Sequence, residues 1–230
     1  MRPCPTAFAL VLVGAAFAAL APPQAARLAH TDLFHRGDNG VNTYRIPALV
    51  QTKHGTLIAV ADARYDSPHD LPARIALVLR RSFDRGMHWE PARTIAAVPA
   101  GGVGDASVLL DHSNGRVWCF FNYGPPGIGF PNAQPGTVTG PTTLHLHAMH
   151  SDDAGATWSA PVDLTPQVKD PAWQAMFATS GTDIQTRNGR FLVPLDVRFA
   201  QGVIHALNAY RDDHGQTWKR GQFIGTGTHQ

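Results

Sequence analysis

The sequence predicts an all-β chain of meandering antiparallel strands repeated as the blades of a β-propeller, and three observations carry that expectation. Apolar segments of strand length recur along the 230 residues. The 22 Gly and 18 Pro supply turns between them. One short polar stretch, with an acid, a glycine and a tryptophan at fixed offsets, is written three times. With 43% hydrophobic and 16% charged residues the chain can bury one good core, and the mature part shows no sustained helical period.

Residues 1–26, "MRPCPTAFALVLVGAAFAALAPPQAA", place Arg2 before an apolar run from Ala7 to Ala21 and then small residues. This is the layout of a secretory signal, which predicts a secreted or periplasmic protein whose mature domain is 27–230. The apolar run is shorter than the roughly 20 residues that span a bilayer, so a membrane anchor is the weaker reading of this segment; no membrane span is expected in the mature chain. Cleavage removes Cys4 and leaves Cys119, inside "RVWCFF", as a lone thiol: a core residue with no disulfide to make.

Strands are expected at 45–50, 56–63, 74–82, 106–111, 116–122, 142–151, 181–186, 190–197 and 203–211. His54-Gly55, Asn114-Gly115 and Asn188-Gly189 lie between members of the set and suit hairpin turns. The repeat falls at strand ends: Ser82-x-Asp84-x-Gly86-x-x-Trp89, Ser151-x-Asp153-x-Gly155-x-x-Trp158 and Arg211-x-Asp213-x-Gly215-x-x-Trp218. In each, the Asp can accept hydrogen bonds from turn amides, the Gly can take positive φ, and the Trp can fold back over the hairpin. The motif therefore reads as a plug for a turn. Its Asp positions are 69 and 60 residues apart, compatible with four-stranded blades carrying loop insertions.

The formal charge of +2 has no basic run or basic helix face behind it. Nucleic acids and membrane surfaces are thereby excluded as expected partners, and an anionic small ligand remains.

The plug resembles the Asp box of the sialidases, and "YRIPALV" at 44–50 resembles the Arg-Ile-Pro signature that opens their catalytic domain. The resemblance to bacterial-type exo-α-sialidases runs from about Leu33 to Gln230. It implies a six-bladed β-propeller, hydrolysis of terminal sialic acids from sialylated glycans by a retaining mechanism, and no cofactor or metal for the chemistry. Arg45 matches the first member of the arginine triad that grips the sialic acid carboxylate; a planar guanidinium fork suits that task. Asp70, 25 residues later, matches the catalytic acid/base, with Asp66 in the same loop as its competitor. Arg64 matches a second substrate-contacting arginine, the alternative being ordinary ion pairing in a loop. Asp105 resembles the aspartate facing the sugar's O4 or N-acetyl side, the alternative being a turn cap.

Two departures stand out. Pro72 in "HDLP" is unusual after the acid/base, and His88 in the first plug replaces the usual Thr, which predicts a looser turn. "HLHAMH" places His145 and His147 on one strand face, as a metal pair would be, but no third ligand is evident and a packed strand is the expectation. Trp173 could line an apolar pocket or cover a sheet. In the family a Tyr activated by a Glu attacks the anomeric carbon, and that pair, with two further arginines, follows the third box. The sequence ends at "IGTGTHQ", where "GTGTHQ" resembles the run into that Glu. The resemblance thus implies about three of six blades and no turnover by 27–230 alone. A non-catalytic Asp-box propeller that binds glycans or proteins is the competing reading.

Overall fold

In "RVWCFFNYG" every side chain finds a partner surface, because the strand it forms lies between two other sheets. The computed structural model describes residues 30–212 and 217–225, and one compact unit begins at Asp32. The expected leader, Cys4, and Asp213 to Gln216 of the third plug lie outside the described residues. Among the described residues no helix is long and apolar enough to cross a membrane.

Three sheets follow one another. The first has the order β1 (Thr43–Gln51), β2 (Leu57–Arg64), β3 (Ile75–Ser82), β4 (Arg93–Ala96). The second runs β5 (Gly102–Leu110), β6 (Val117–Gly124), β7 (His145–Ser151), β8 (Val162–Asp163). Helix α1 (Thr165–Val168) leads to the third, where β9 (Ala175–Ala178) and β11 (Ile184–Gln185) both pair with β12 (Phe191–Arg198), followed by β13 (Ile204–Arg211) and β14 (Lys219–Arg220). Between them β10 (Gly181–Thr182) crosses to pair in parallel with β5. The consecutive strands of each sheet run antiparallel as a meander, and in the first two sheets a plug lies between the last two strands, the connectivity of a propeller blade.

Alternation builds the core between sheets. From β6, Cys119 and Phe121 join Ile58, Val60, Leu77 and Leu79 of the first sheet, while Trp118 and Phe120 join Phe191, Val193 and Leu195 of the third. Successive side chains on a strand point to opposite faces, so a strand buried on both faces is apolar throughout. Cys119 is fully buried, and burial pushes its thiol well above the ordinary range, as expected of a core residue. Trp173 is also buried, within the cluster between the second and third sheets, and so covers sheet instead of lining a pocket.

The nine expected strands are present within a few residues of their predicted ends, with two corrections. Expected strand 181–186 is split into β10 and β11. Expected strand 106–111 begins earlier, at Gly102, because its glycines serve close approach: a Cβ on Gly102 would lie 2.1 Å from the Ala73 carbonyl oxygen. The three hairpin glycines have φ of 88°, 85° and 88°, as their turns require.

The first two plugs are built alike. Ser82 Oγ donates to Asp84 Oδ1 and Ser151 Oγ to Asp153 Oδ1, at 2.9 and 2.8 Å, and each serine accepts from the plug glycine. His88 does not loosen the first plug. Its backbone N–H reaches Asp84 Oδ1 at 2.8 Å and its ring Nδ1 lies 2.6 Å from Oδ2, reproducing the two bonds Thr157 makes to Asp153. The hydrogen bonds from His88 hold Asp84 at about 2. Bonds from Thr157 and Ser151 hold Asp153 there too, against desolvation. The second plug also ties two sheets together, since Arg81 donates to the Ala154 carbonyl at 3.3 Å and Arg93 to that of Gly155.

Candidate functional site

Two strained bulges shape the site. In β1 the register slips between Arg45 and Ala48, and Ile46 takes φ of 57°, a costly conformation for a β-branched residue. In β5 the register slips between Gly104 and Ser107, and Asp105 takes the same φ of 57°. Such strain persists only where surroundings over-determine it, and it marks functional sites. Here both bulges border one cavity of about 450 Å³ lined by Arg45, Asp70, Asp105, Phe130 and Phe177, among others.

Arg45 stands opposite Asp62 in the β1–β2 register, with its side chain 45% exposed. Its Nη1 donates weakly to the Pro68 carbonyl at 3.3 Å and to Asp70 Oδ1 at 3.5 Å. Arg64, at the end of β2, is only 1% exposed and lies beneath. Its Nη1 donates to the Pro68 carbonyl at 2.7 Å, and its Nη2 reaches Asp62 Oδ2 at 3.1 Å and Asp70 Oδ1 at 2.7 Å. Asp70 is 66% exposed and anchored by the next residue, since Leu71 is buried against Ile75, Ala133 and Leu144. Pro72 thus does not keep Asp70 from the cavity. Asp66 is elsewhere: it forms a fork with Arg74, at 3.1 Å from Nη2, beside a different cleft. Arg64 thus sits on a strand and not in a loop, but its guanidinium is buried and ion-paired and does not line the cavity, so the expected substrate contact is replaced by a hold on Asp70; Asp105 stands in a strand bulge and is no turn cap.

Asp62 joins this cluster although no motif in the sequence marks it. It is buried on β2, accepts from Arg64, and its Oδ1 takes the Asp105 backbone N–H at 3.0 Å. Burial, then the neighbouring Asp105, push its carboxyl up to about 7 despite Arg64. Burial and Asp70 raise Asp105 as well. The signal was present in "LIAVADAR": a carboxylate inside an otherwise apolar strand demands a partner. Asp62→Ala removes the acceptor shared by Arg64 and the Asp105 amide. The expected loss is about 2 kcal/mol, less than the ~3–5 of a fully orphaned buried charge because Asp70 still reaches Arg64. Urea denaturation at pH 5, where the raised pKa keeps Asp62 protonated and no ionisation penalty enters, reads it: Asp62→Asn, which keeps an acceptor, should lose under half as much, and equal midpoints for all three proteins would deny Asp62 a positioning role.

Residues 80–230 match the BNR repeat-like domain. The chain is 36% identical over 208 residues to the sialidase of Micromonospora viridifaciens, covering 85% of this chain and 31% of that protein. It is also 36% identical over 206 residues to the sialidase of Bacteroides fragilis, covering 84% and 38%. The chain belongs to the bacterial-type sialidases with BNR repeats. Among solved structures the Hadza microbial sialidase Hz136 superposes with a TM-score of 0.78 at 35% identity, over 83% of this chain and 39% of that one. The chain spans about a third of the length of these relatives. Of the site residues only Asp105 falls within the matched repeat region; the sialidase relatives extend over most of the chain.

Proposed function

We propose that the chain carries the N-terminal side of the active site of an exported exo-α-sialidase, which releases terminal sialic acids from glycoproteins, glycolipids and oligosaccharides with retention. The observation that carries this reading is the convergence of Arg45, Asp70 and Asp105 at one cavity of about 450 Å³, within the usual size range of small-ligand sites, with the buried Arg64 holding Asp70 from beneath.

Arg45 receives the substrate carboxylate. Its present contact with Asp70, at 3.5 Å, is at the limit of a hydrogen bond, so an incoming carboxylate can take the fork while Arg64 keeps hold of Asp70. Asp70 then protonates the leaving glycosidic oxygen and later takes a proton from water. Asp105 faces the polar substituents of the ring. Phe130 and Phe177, packed edge to face at 4.7 Å, give an apolar wall for an N-acetyl methyl. The described residues lining the cavity include no Tyr and no Glu, so attack on the anomeric carbon falls to groups outside them. We accordingly place this chain as about three blades of a six-bladed propeller, without turnover on its own.

A fluorogenic sialoside tests the reading. Release by protein containing all the blades, none by 1–230 alone, is the expected result; binding of sialosides without release by the longer form would favour the non-catalytic propeller. Arg45→Lys should weaken a sialic acid analogue about 10- to 100-fold, from the ~1.5–3 kcal/mol of a charge-assisted bond lost when a point charge replaces the fork. Calorimetric titration measures it, and unchanged affinity would remove Arg45 from the site.

A further inference from the structure

The two histidines that alternation places on one face of β7 acquire a third neighbour through sheet pairing. β8 runs antiparallel to β7 with His147 opposite Asp163. His145 Nδ1 lies 2.9 Å from Asp163 Oδ2, and one ligand atom from each of His145, His147 and Asp163 falls within 4.8 Å of the others. We propose that these three side chains form a binding site for a divalent transition-metal ion of the Zn²⁺ class, separate from the sialic acid cavity.

Two imidazoles and one carboxylate are the protein half of a tetrahedral zinc site whose fourth position takes water, and Ca²⁺ or Mg²⁺ would want oxygen donors throughout. Asp163 is 33% exposed, which leaves room for that water. The outer contacts are those that orient metal ligands. His145 Nε2 faces the Gly140 carbonyl at 3.0 Å, so that an Nε2–H donated there leaves Nδ1 for the metal. Asp163 Oδ1 accepts from the Thr165 backbone N–H at 2.9 Å, which leaves Oδ2. The His147 ring rests against Phe121 and Tyr123, with centroids 5.6 and 5.5 Å away, and among the described residues none hydrogen-bonds to its nitrogens.

The frame is stiff between the ligands. Leu146, between the histidines, donates its N–H to Thr165 Oγ1 at 2.8 Å and accepts from Leu164 N–H at 2.8 Å. Bonds of ~2.0–2.2 Å set tetrahedral ligand atoms roughly 3.3 Å apart, so a shift by His147 of at most about 1.5 Å closes the site. Through Gly140 the ion would brace the 125–144 loop, which supplies Phe130 and Pro131 to the cavity wall. Its role is support, not chemistry.

The test is a titration of the EDTA-stripped full chain with ZnCl₂, with Co²⁺ visible absorption as a second readout of tetrahedral N/O ligation. One saturable equivalent is expected. Its affinity should fall at least about tenfold in His147→Ala and in Asp163→Asn and stay unchanged in His88→Ala, a surface imidazole beside another aspartate. His147→Ala leaves the His145–Asp163 pair intact, and metal-free circular dichroism separates lost binding from lost fold. No saturable uptake, or an equivalent that survives both substitutions in folded protein, overturns the site and leaves an ion pair.

Discussion

Asp70→Asn, made in a form of the protein that turns over sialosides, is expected to lower kcat by about 10²–10⁴-fold, the usual worth of positioned acid/base help. The amide keeps the shape of the side chain and an oxygen for Arg64, now 2.7 Å away, so the fold and the Arg64 contact should survive while proton transfer does not. The loss should shrink for sialosides with good leaving groups, which need little protonation. Asp66→Asn is the matched control. Its carboxylate forks with Arg74 beside another cleft, and turnover should stay near that of the parent. Steady-state rates for both variants on an alkyl and an aryl sialoside decide the matter: a crippled Asp66→Asn beside a harmless Asp70→Asn would reverse the assignment.

Asp183→Asn should stabilise the protein above neutral pH by roughly a few kcal/mol. Asp183 is 8% exposed, its N–H donates to the Val108 carbonyl, and its carboxylate accepts from Ser107 Oγ at 2.8 Å. Burial, opposed by that one hydroxyl, pushes its pKa from 3.8 to about 7. The folded state therefore keeps a proton that the unfolded chain releases near pH 4. Between those values the folded state binds more protons, so stability falls as pH rises through the window and the full penalty applies above about 7. The rise from 3.8 to about 7, at ~1.36 kcal/mol per tenfold change in proton affinity, sets the order of magnitude at a few kcal/mol. Asp62 contributes a slope of the same sign, and the difference between parent and variant isolates Asp183. Asn retains an acceptor for Ser107. Melting curves from pH 4 to 8 should coincide at the acid end and separate at pH 8 by on the order of 10 °C; an Asn variant that melts with or below the parent at pH 8 would refute the buried charge.

The features written along the chain are local. The acid-Gly-Trp offsets of the first two plugs, the hairpin glycines and the two-sided apolar run around Cys119 each lie within about ten residues, and each reappears as a defined turn or strand. Arg-Ile-Pro and the spacing to Asp70 were legible only through the resemblance to the sialidases. The tertiary structure decided what depends on register between distant segments. Pairing of β1 with β2 sets Arg45 opposite Asp62, and the packing of β5 on the first sheet brings the Asp105 amide to Asp62, 43 residues away in sequence. The short strands β4, β8, β9 and β14 have too few residues to show a period, and so Asp163 went unnoticed beside two histidines that the alternation had already placed. Asp70 parts from Asp66 through Leu71, whose side chain must leave water and draws its neighbour to the cavity, while Asp66 remains within reach of Arg74. Periodicity is written in neighbours along the chain; a site assembled across sheets exists only once burial has fixed how those sheets face each other.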